Sequence, residues 1–132
     1  MQSLPLRLSP GEDLRRALEA ALAAHDCKAA FVAAGIGSLS AARVRLAGRT
    51  APDALDADLE ILTLSGTLSP DGAHLHLSVA DAAGRVTGGH VAYGCIVRTT
   101  AEVLVILLHD WSFSREHDSR TGYAELVARR AS

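Results

Sequence analysis

Cysteine is scarce in this chain, with only Cys27 and Cys95 present. Two thiols so far apart exclude a disulfide framework and a zinc-finger spacing, and the expectation is a pair of buried free thiols. Aromatic residues make up 4% of the composition, so the core must be built from Leu, Val, Ile and Ala. A β-rich domain of that kind often covers its sheet edges by self-association. Excess positive charge is also lacking: the net charge is −2, without the field that phosphate-backbone recognition uses. Direct nucleic-acid binding is therefore disfavoured. The longest apolar run, Val103 to Leu108, is too short to cross a bilayer, and Met1 to Pro5 lacks a signal-peptide pattern. The expectation is a cytoplasmic protein with no membrane segment, and its 132 residues suit one domain with a real core.

Several familiar site patterns are missing as well. Gly35-Ile36-Gly37-Ser38 lacks the third glycine of a dinucleotide fingerprint and the Lys-Ser/Thr ending of a P-loop. It reads as a tight turn between two strands, Ala29 to Ala34 and Ala42 to Ala47. Asp53, Asp56 and Asp58 lack EF-hand spacing and read as a solvated loop over residues 48–58. Arg43, Arg45, Arg129 and Arg130 read as surface charge.

The elements that are present have clear signals. Leu4 to Leu8 alternates as a short strand. Ser9-Pro10-Gly11-Glu12 reads as a capping box opening a helix that runs to about His25. Leu14, Ala17, Leu18, Ala21 and Leu22 give that helix an apolar stripe, with Arg15, Arg16 and Glu19 toward water. From Leu59 to Leu68, Leu62, Leu64 and Leu68 occupy one strand face and Thr63, Ser65 and Thr67 the other. Ile96 to Thr100 continues the strand that carries His90, Glu102 to His109 forms another, and the tail ends in a strand or a segment packed on the sheet.

Histidines carry the chemistry. His74 and His76 are two apart on one strand and share a face, with Cβ atoms roughly 7 Å apart. If Ala82-Ala83-Gly84 is a three-residue hairpin loop, Asp81 pairs with Arg85 and His76 lies directly opposite His90, Cβ to Cβ about 5 Å. A two-residue loop at Ala83-Gly84 would send His90 to the other face, and a bulge at Gly88-Gly89 would re-aim it. On the other side of the same strand, Ser69-Pro70-Asp71-Gly72 is a turn that places Thr67 opposite His74 and Ser65 opposite His76. Thr63, Ser65 and Thr67, with Gly88, Ala92 and Gly94, then form a groove or subunit interface on the histidine face. Leu62, Leu64, Leu75, Leu77, Val79, Val91 and Tyr93 form the core face.

Three imidazoles suit zinc, with nickel, copper or iron also compatible, and they leave a fourth position open. Catalysis at such a position needs a placed acid or base. Glu60 has the parity of Leu62 and points away, and Asp81 lies about 17 Å along the strand from His76. Glu102 and Glu116 remain as candidates that counting does not place.

Taken together, Ala30-Phe31-Val32, Gly35-Ile36-Gly37-Ser38-Leu39-Ser40, Leu59-Glu60-Ile61-Leu62, Leu64-Ser65-Gly66-Thr67, His74-Leu75-His76, Gly88-Gly89-His90 and Thr121-Gly122-Tyr123 resemble the plants-and-prokaryotes-conserved (PPC) domain family in the family's order. The resemblance implies an α/β domain of α+β type, a mostly antiparallel sheet with a packed N-terminal helix, assembled as a homotrimer. It also implies a three-histidine metal site, which maps onto His74, His76 and His90. Plant members carry a DNA-binding AT-hook built on Arg-Gly-Arg-Pro. No such sequence occurs here, so DNA binding is not carried over and an oligomeric, partner-binding role is. The histidine arrangement is also similar to that of acetolactate decarboxylase, a likeness of fold and ligand spacing.

Two functions of different class follow. One is a trimeric binding or regulatory module with a small-molecule ligand or protein partner. The other is a zinc-dependent lyase or hydrolase acting on a small oxo-acid or ester.

Overall fold

The computed structural model describes residues 1–132. Its elements are β1 (Gln2–Leu8), α1 (Leu14–Ala24), β2 (Ala30–Arg45), β3 (Asp53–Leu55), β4 (Leu59–Ser69), β5 (Gly72–Ala80), β6 (Val86–Val91), β7 (Ile96–Leu107), β8 (Trp111–His117) and β9 (Ala124–Arg130). Seven strands form one antiparallel sheet in the order β1-β7-β2-β4-β5-β6, with β3 beside β2, and β8 and β9 make a separate hairpin. No helix is long and apolar enough to cross a membrane.

The helix begins later than its sequence signal suggests. Asp13, not Ser9, is the N-cap, and its carboxylate accepts from Arg16 N at 3.0 Å. The Glu12 carboxylate still reaches back to Ser9 N at 2.6 Å, but it closes a turn ahead of the helix. Leu14, Leu18 and Leu22 are buried at helical spacing, each contributing about 1.5–3 kcal/mol of burial. Arg15 and Glu19, expected in water, instead tie α1 to the sheet. Arg15 donates to Val91 O, and Glu19 Oε2 accepts from Ala73 N at 2.8 Å and from the Tyr93 hydroxyl at 3.1 Å.

β2 is the strand that shapes the sheet. The expected turn at Gly35–Ser38 is absent, and the strand runs unbroken through sixteen residues. Both glycines serve close packing instead. A Cβ on Gly35 would stand 2.7 Å from a Leu64 methyl carbon, and one on Gly37 would stand 2.3 Å from Thr100 O. Bulges between Val32 and Ala34 and again around Leu39 bend the strand. Its first part pairs with β4, while Val44 and Arg45 at its far end pair with Val91 and His90 of β6. The sheet thus curls on itself, with Val32, Leu39, Val44, Leu75, Leu77 and Val79 packed inside against α1. The expected loop over residues 48–58 contains β3, and its Asp56 and Asp58 pair with Arg43 and Arg98.

Two further expectations fail for local reasons. A register shift between Ile61 and Thr63 reverses the parity of β4, so Ile61 is buried and Leu62 is 47% exposed. The same shift puts Glu60 on the outer face, opposite Ala80. β6 ends at Val91, and a turn at Tyr93-Gly94, where Gly94 has φ +106°, separates it from β7, which is one continuous strand. Tyr93 is consequently exposed rather than part of the core. Cys27 and Cys95 are buried free thiols as expected.

Candidate metal centre

The two turns that flank β5 form as their sequences demand. Leu68 pairs with Ala73 across the first, which sets Thr67 opposite His74 and Ser65 opposite His76. In the second, Gly84 takes φ +77° and Asp81 N donates to Arg85 O at 3.0 Å, the geometry of a three-residue loop. His76 therefore stands directly opposite His90. His90 is flanked on its other side by Arg45 of β2.

The three imidazoles converge on the outer face of the curled sheet. Their ring centroids lie 5.0 Å (His74–His76), 5.3 Å (His74–His90) and 5.9 Å (His76–His90) apart. One ligand nitrogen from each falls within 4.8 Å of the others. Three imidazole nitrogens this close together are a donor set that suits zinc. His90 Nδ1 is buried without a hydrogen-bond partner. A buried polar nitrogen left unsatisfied costs about 1–3 kcal/mol, and a metal ion bound at that nitrogen would satisfy it. The residues present fit a divalent metal held by three imidazoles.

Electrostatics keep the His74 and His90 rings ready to bind. Burial, with the Arg45 guanidinium and His74 beside it, pushes His90 down to about 4. Burial, together with Arg115 and His76, lowers His74 below the ordinary histidine value. Neutral imidazole is the form that ligates a metal. Between the unfolded value of 6.5 and the folded value of about 4, the unfolded chain binds the extra proton, so acid favours unfolding. The chelator-treated protein should lose thermal stability as pH falls through that window, and His90→Asn should flatten the dependence. A thermal midpoint measured from pH 7 to pH 4 checks it.

Beside the histidines lies a cleft of about 520 Å³ whose walls include Arg15, Arg45, Asp71, His74, His90, Arg115, Tyr123 and Glu125. The β8–β9 hairpin closes one side. Phe113 is buried and meets Phe31 edge-on at 5.9 Å, and Arg115 N donates to Asp71 Oδ2 at 2.8 Å. These contacts carry the Arg115 guanidinium to Thr67 Oγ1 at 2.7 Å and His74 Nδ1 at 3.2 Å.

The other candidate residues separate into two groups. Ser65 and Thr67 line a smaller recess with His74 and His76, Thr63 bonds Ser78 at 2.7 Å nearby, and Gly88 lies opposite Ser78. Ala92 and Gly94 do not share this face, because they follow the end of β6. Gly94 N donates to the Asp13 cap and Ala92 N to Arg43 O. Glu102 lies on β7 opposite Ile36 of β2, separated from β5 by β2 and β4, and it lines an apolar cleft with Pro5, Leu6 and Leu104. Glu116 is held by Arg129 at 2.7 Å and Ser114 at 2.8 Å. The carboxylates that do face the histidine cleft are Asp71 and Glu125, which strand counting did not reach because the hairpin arrives from a distant part of the chain.

Comparison with known proteins agrees with this picture. Residues 1–109 match the model of the Plants and Prokaryotes Conserved (PCC) domain, the family resembled above under another letter order. A protein from Synechococcus sp. (strain JA-3-3Ab) named bifunctional protein GlmU is 51% identical over 122 residues, 92% of this chain. The chain spans about one fifth of the length of the curated relatives it matches, 20% in that case. Among solved structures, a hypothetical protein from Salmonella enterica superposes with a TM-score of 0.94 at 38% identity, covering 98% of this chain and 94% of that one. The metal-containing protein AF0104 from Archaeoglobus fulgidus gives 0.83 at 28% identity, with 96% and 94% covered. On the match over residues 1–109 and the likeness to the Salmonella protein along nearly the whole of both chains, this chain belongs to the PCC domain family.

Proposed function

We propose that the chain is an oligomeric binding module that holds one divalent metal, zinc foremost, on His74, His76 and His90 and presents the metal's open side to a small-molecule ligand. The observation that carries this reading is the convergence of one ring nitrogen from each of the three histidines within 4.8 Å, in a cluster where His90 also has a buried Nδ1 without a hydrogen-bond partner. The printed name of the Archaeoglobus relative, a metal-containing protein, supports it. The occurrence of a similar stretch as a fifth of a longer bifunctional protein supports the role of an accessory module.

Assembly is part of the proposal. Phe31, Ile36, Leu62 and Leu104 are exposed apolar residues of the sheet, between 37% and 56% accessible, and Ile36 and Leu104 border an apolar cleft. Such a face is covered most readily by a second copy, and a homotrimer is the assembly proposed. Net charge of −2 supports a small-molecule or protein partner over direct contact with nucleic acid.

A second reading is a zinc-dependent lyase or hydrolase acting on a small oxo-acid or ester. Glu125 favours it, since a carboxylate in the same cleft as His74 and His90 is placed to move a proton. Elemental analysis with light scattering tests the main reading. One metal per chain and three chains per particle are expected; metal-free protein from metal-supplemented growth would overturn the metal site, and a monomer would overturn the assembly. Zinc-dependent turnover of a model ester, lost in Glu125→Gln, would replace the module by the enzyme.

A further inference from the structure

The cleft beside the histidines carries more positive charge than metal binding calls for. Three guanidinium groups reach its walls from three elements, Arg15 of α1, Arg45 of β2 and Arg115 of β8. Arg15 is paired with Glu19 at 3.5 Å. Arg45 and Arg115 have no carboxylate at ion-pair distance from their side chains. Arg45 donates to Arg49 O at 3.3 Å, and Arg115 to Thr67 Oγ1 and His74 Nδ1. Of the facing carboxylates, Asp71 is engaged by Arg115 N, and Glu125 is the other. A guanidinium presents a planar fork of N–H donors that matches a carboxylate or phosphate, so two unpaired forks on one cleft describe a receptor for an oxyanion.

The Arg115 guanidinium also lies 3.2 Å from His74 Nδ1, so an anion gripped by Arg115 would sit directly beside a metal held on the histidines, where opposite charges attract. The space of about 520 Å³ falls in the range of organic ligands rather than a bare inorganic ion.

Building on the reading of the histidines as a metal site, we infer that the cleft binds a small organic oxyanion, a carboxylic acid or a phosphate ester, gripped by Arg45 and Arg115 next to the metal. Arg115 lies beyond residue 109, where the family match ends, so the part of the receptor it supplies belongs to the C-terminal hairpin. Metal and anion should bind with positive coupling, each raising the affinity of the other by the same factor.

Calorimetry on the full chain tests this, with zinc titrated first, excess zinc removed, and pyruvate or glycerol 3-phosphate added as separate probes. The zinc-loaded protein should bind at least one probe, and that probe should tighten zinc binding about tenfold. The stronger of the two identifies the acid or the ester. Arg45→Ala and Arg115→Ala, checked for folding by thermal midpoint, should keep zinc and weaken the probe at least tenfold. Zinc uptake with no binding of either probe, or probe binding unchanged in both variants, overturns the oxyanion site and leaves the metal reading intact. Failure to take up zinc overturns the metal reading itself.

Discussion

His90→Ala is expected to abolish metal retention while leaving the metal-free fold nearly as stable as before. His90 is the ligand that β6 contributes to the cluster, opposite His76 on one side and Arg45 on the other. Its loss reduces three imidazole ligands to two. Altering groups that merely orient a ligand already weakens metal sites about 10–100-fold, so removing a ligand should exceed that range. The metal-free protein loses the packing of a half-buried ring, but it also loses a buried nitrogen without a partner, and the two effects oppose each other. Zinc affinity measured with a competing chelator, alongside the thermal midpoint of the stripped protein, separates these outcomes. A purely structural role for His90 would move the midpoint and leave zinc uptake unchanged.

Gly66→Ala should be the most damaging single-methyl change on the site-bearing strands. Gly66 lies in β4 opposite Leu75, with φ +154°. A Cβ there would stand 2.0 Å from His74 O and 2.8 Å from Leu75 Cα, both backbone atoms of β5. No side-chain rotation relieves such a contact, so β4 and β5 must move apart. The expected cost is about 3 kcal/mol, read as the shift in urea midpoint. Because the displaced backbone carries His74 and adjoins His76, zinc affinity should fall too. Gly84→Ala is the comparison: its added methyl meets nothing within 4 Å, so only the left-handed conformation at φ +77° is charged, about 1 kcal/mol. Equal costs at the two positions would contradict the close approach of β4 and β5.

The contrast between these glycines also explains what the sequence disclosed. Both turns bordering β5 were legible because proline, aspartate and glycine specify a local backbone, and strand parity then carried the register to His74, His76 and His90. Parity counting failed where the strand departs from regular pleating. The shift at Ile61 and Thr63 exposed Leu62, and the bulges of β2 absorbed Gly35 and Gly37 into a strand that pattern reading divides in two. The leucine stripe marks the helix, but the Ser9-to-Glu12 signal does not mark its start, since Glu12 satisfies the Ser9 amide outside the helix proper. Arg115 was out of reach altogether. It meets His74 across 41 residues of chain through a hairpin whose docking depends on Phe113 and Asp71. Local pattern fixes neighbours within a hairpin, and not which hairpin comes to rest on which face.

The proposal that three imidazoles from β5 and β6 hold one metal is tested by the zinc-to-protein ratio of the chelator-stripped chain after reloading and desalting. One zinc per chain is expected in the wild type and none in His90→Ala; a wild type that returns without zinc, or a variant that retains it in full, would overturn the metal site.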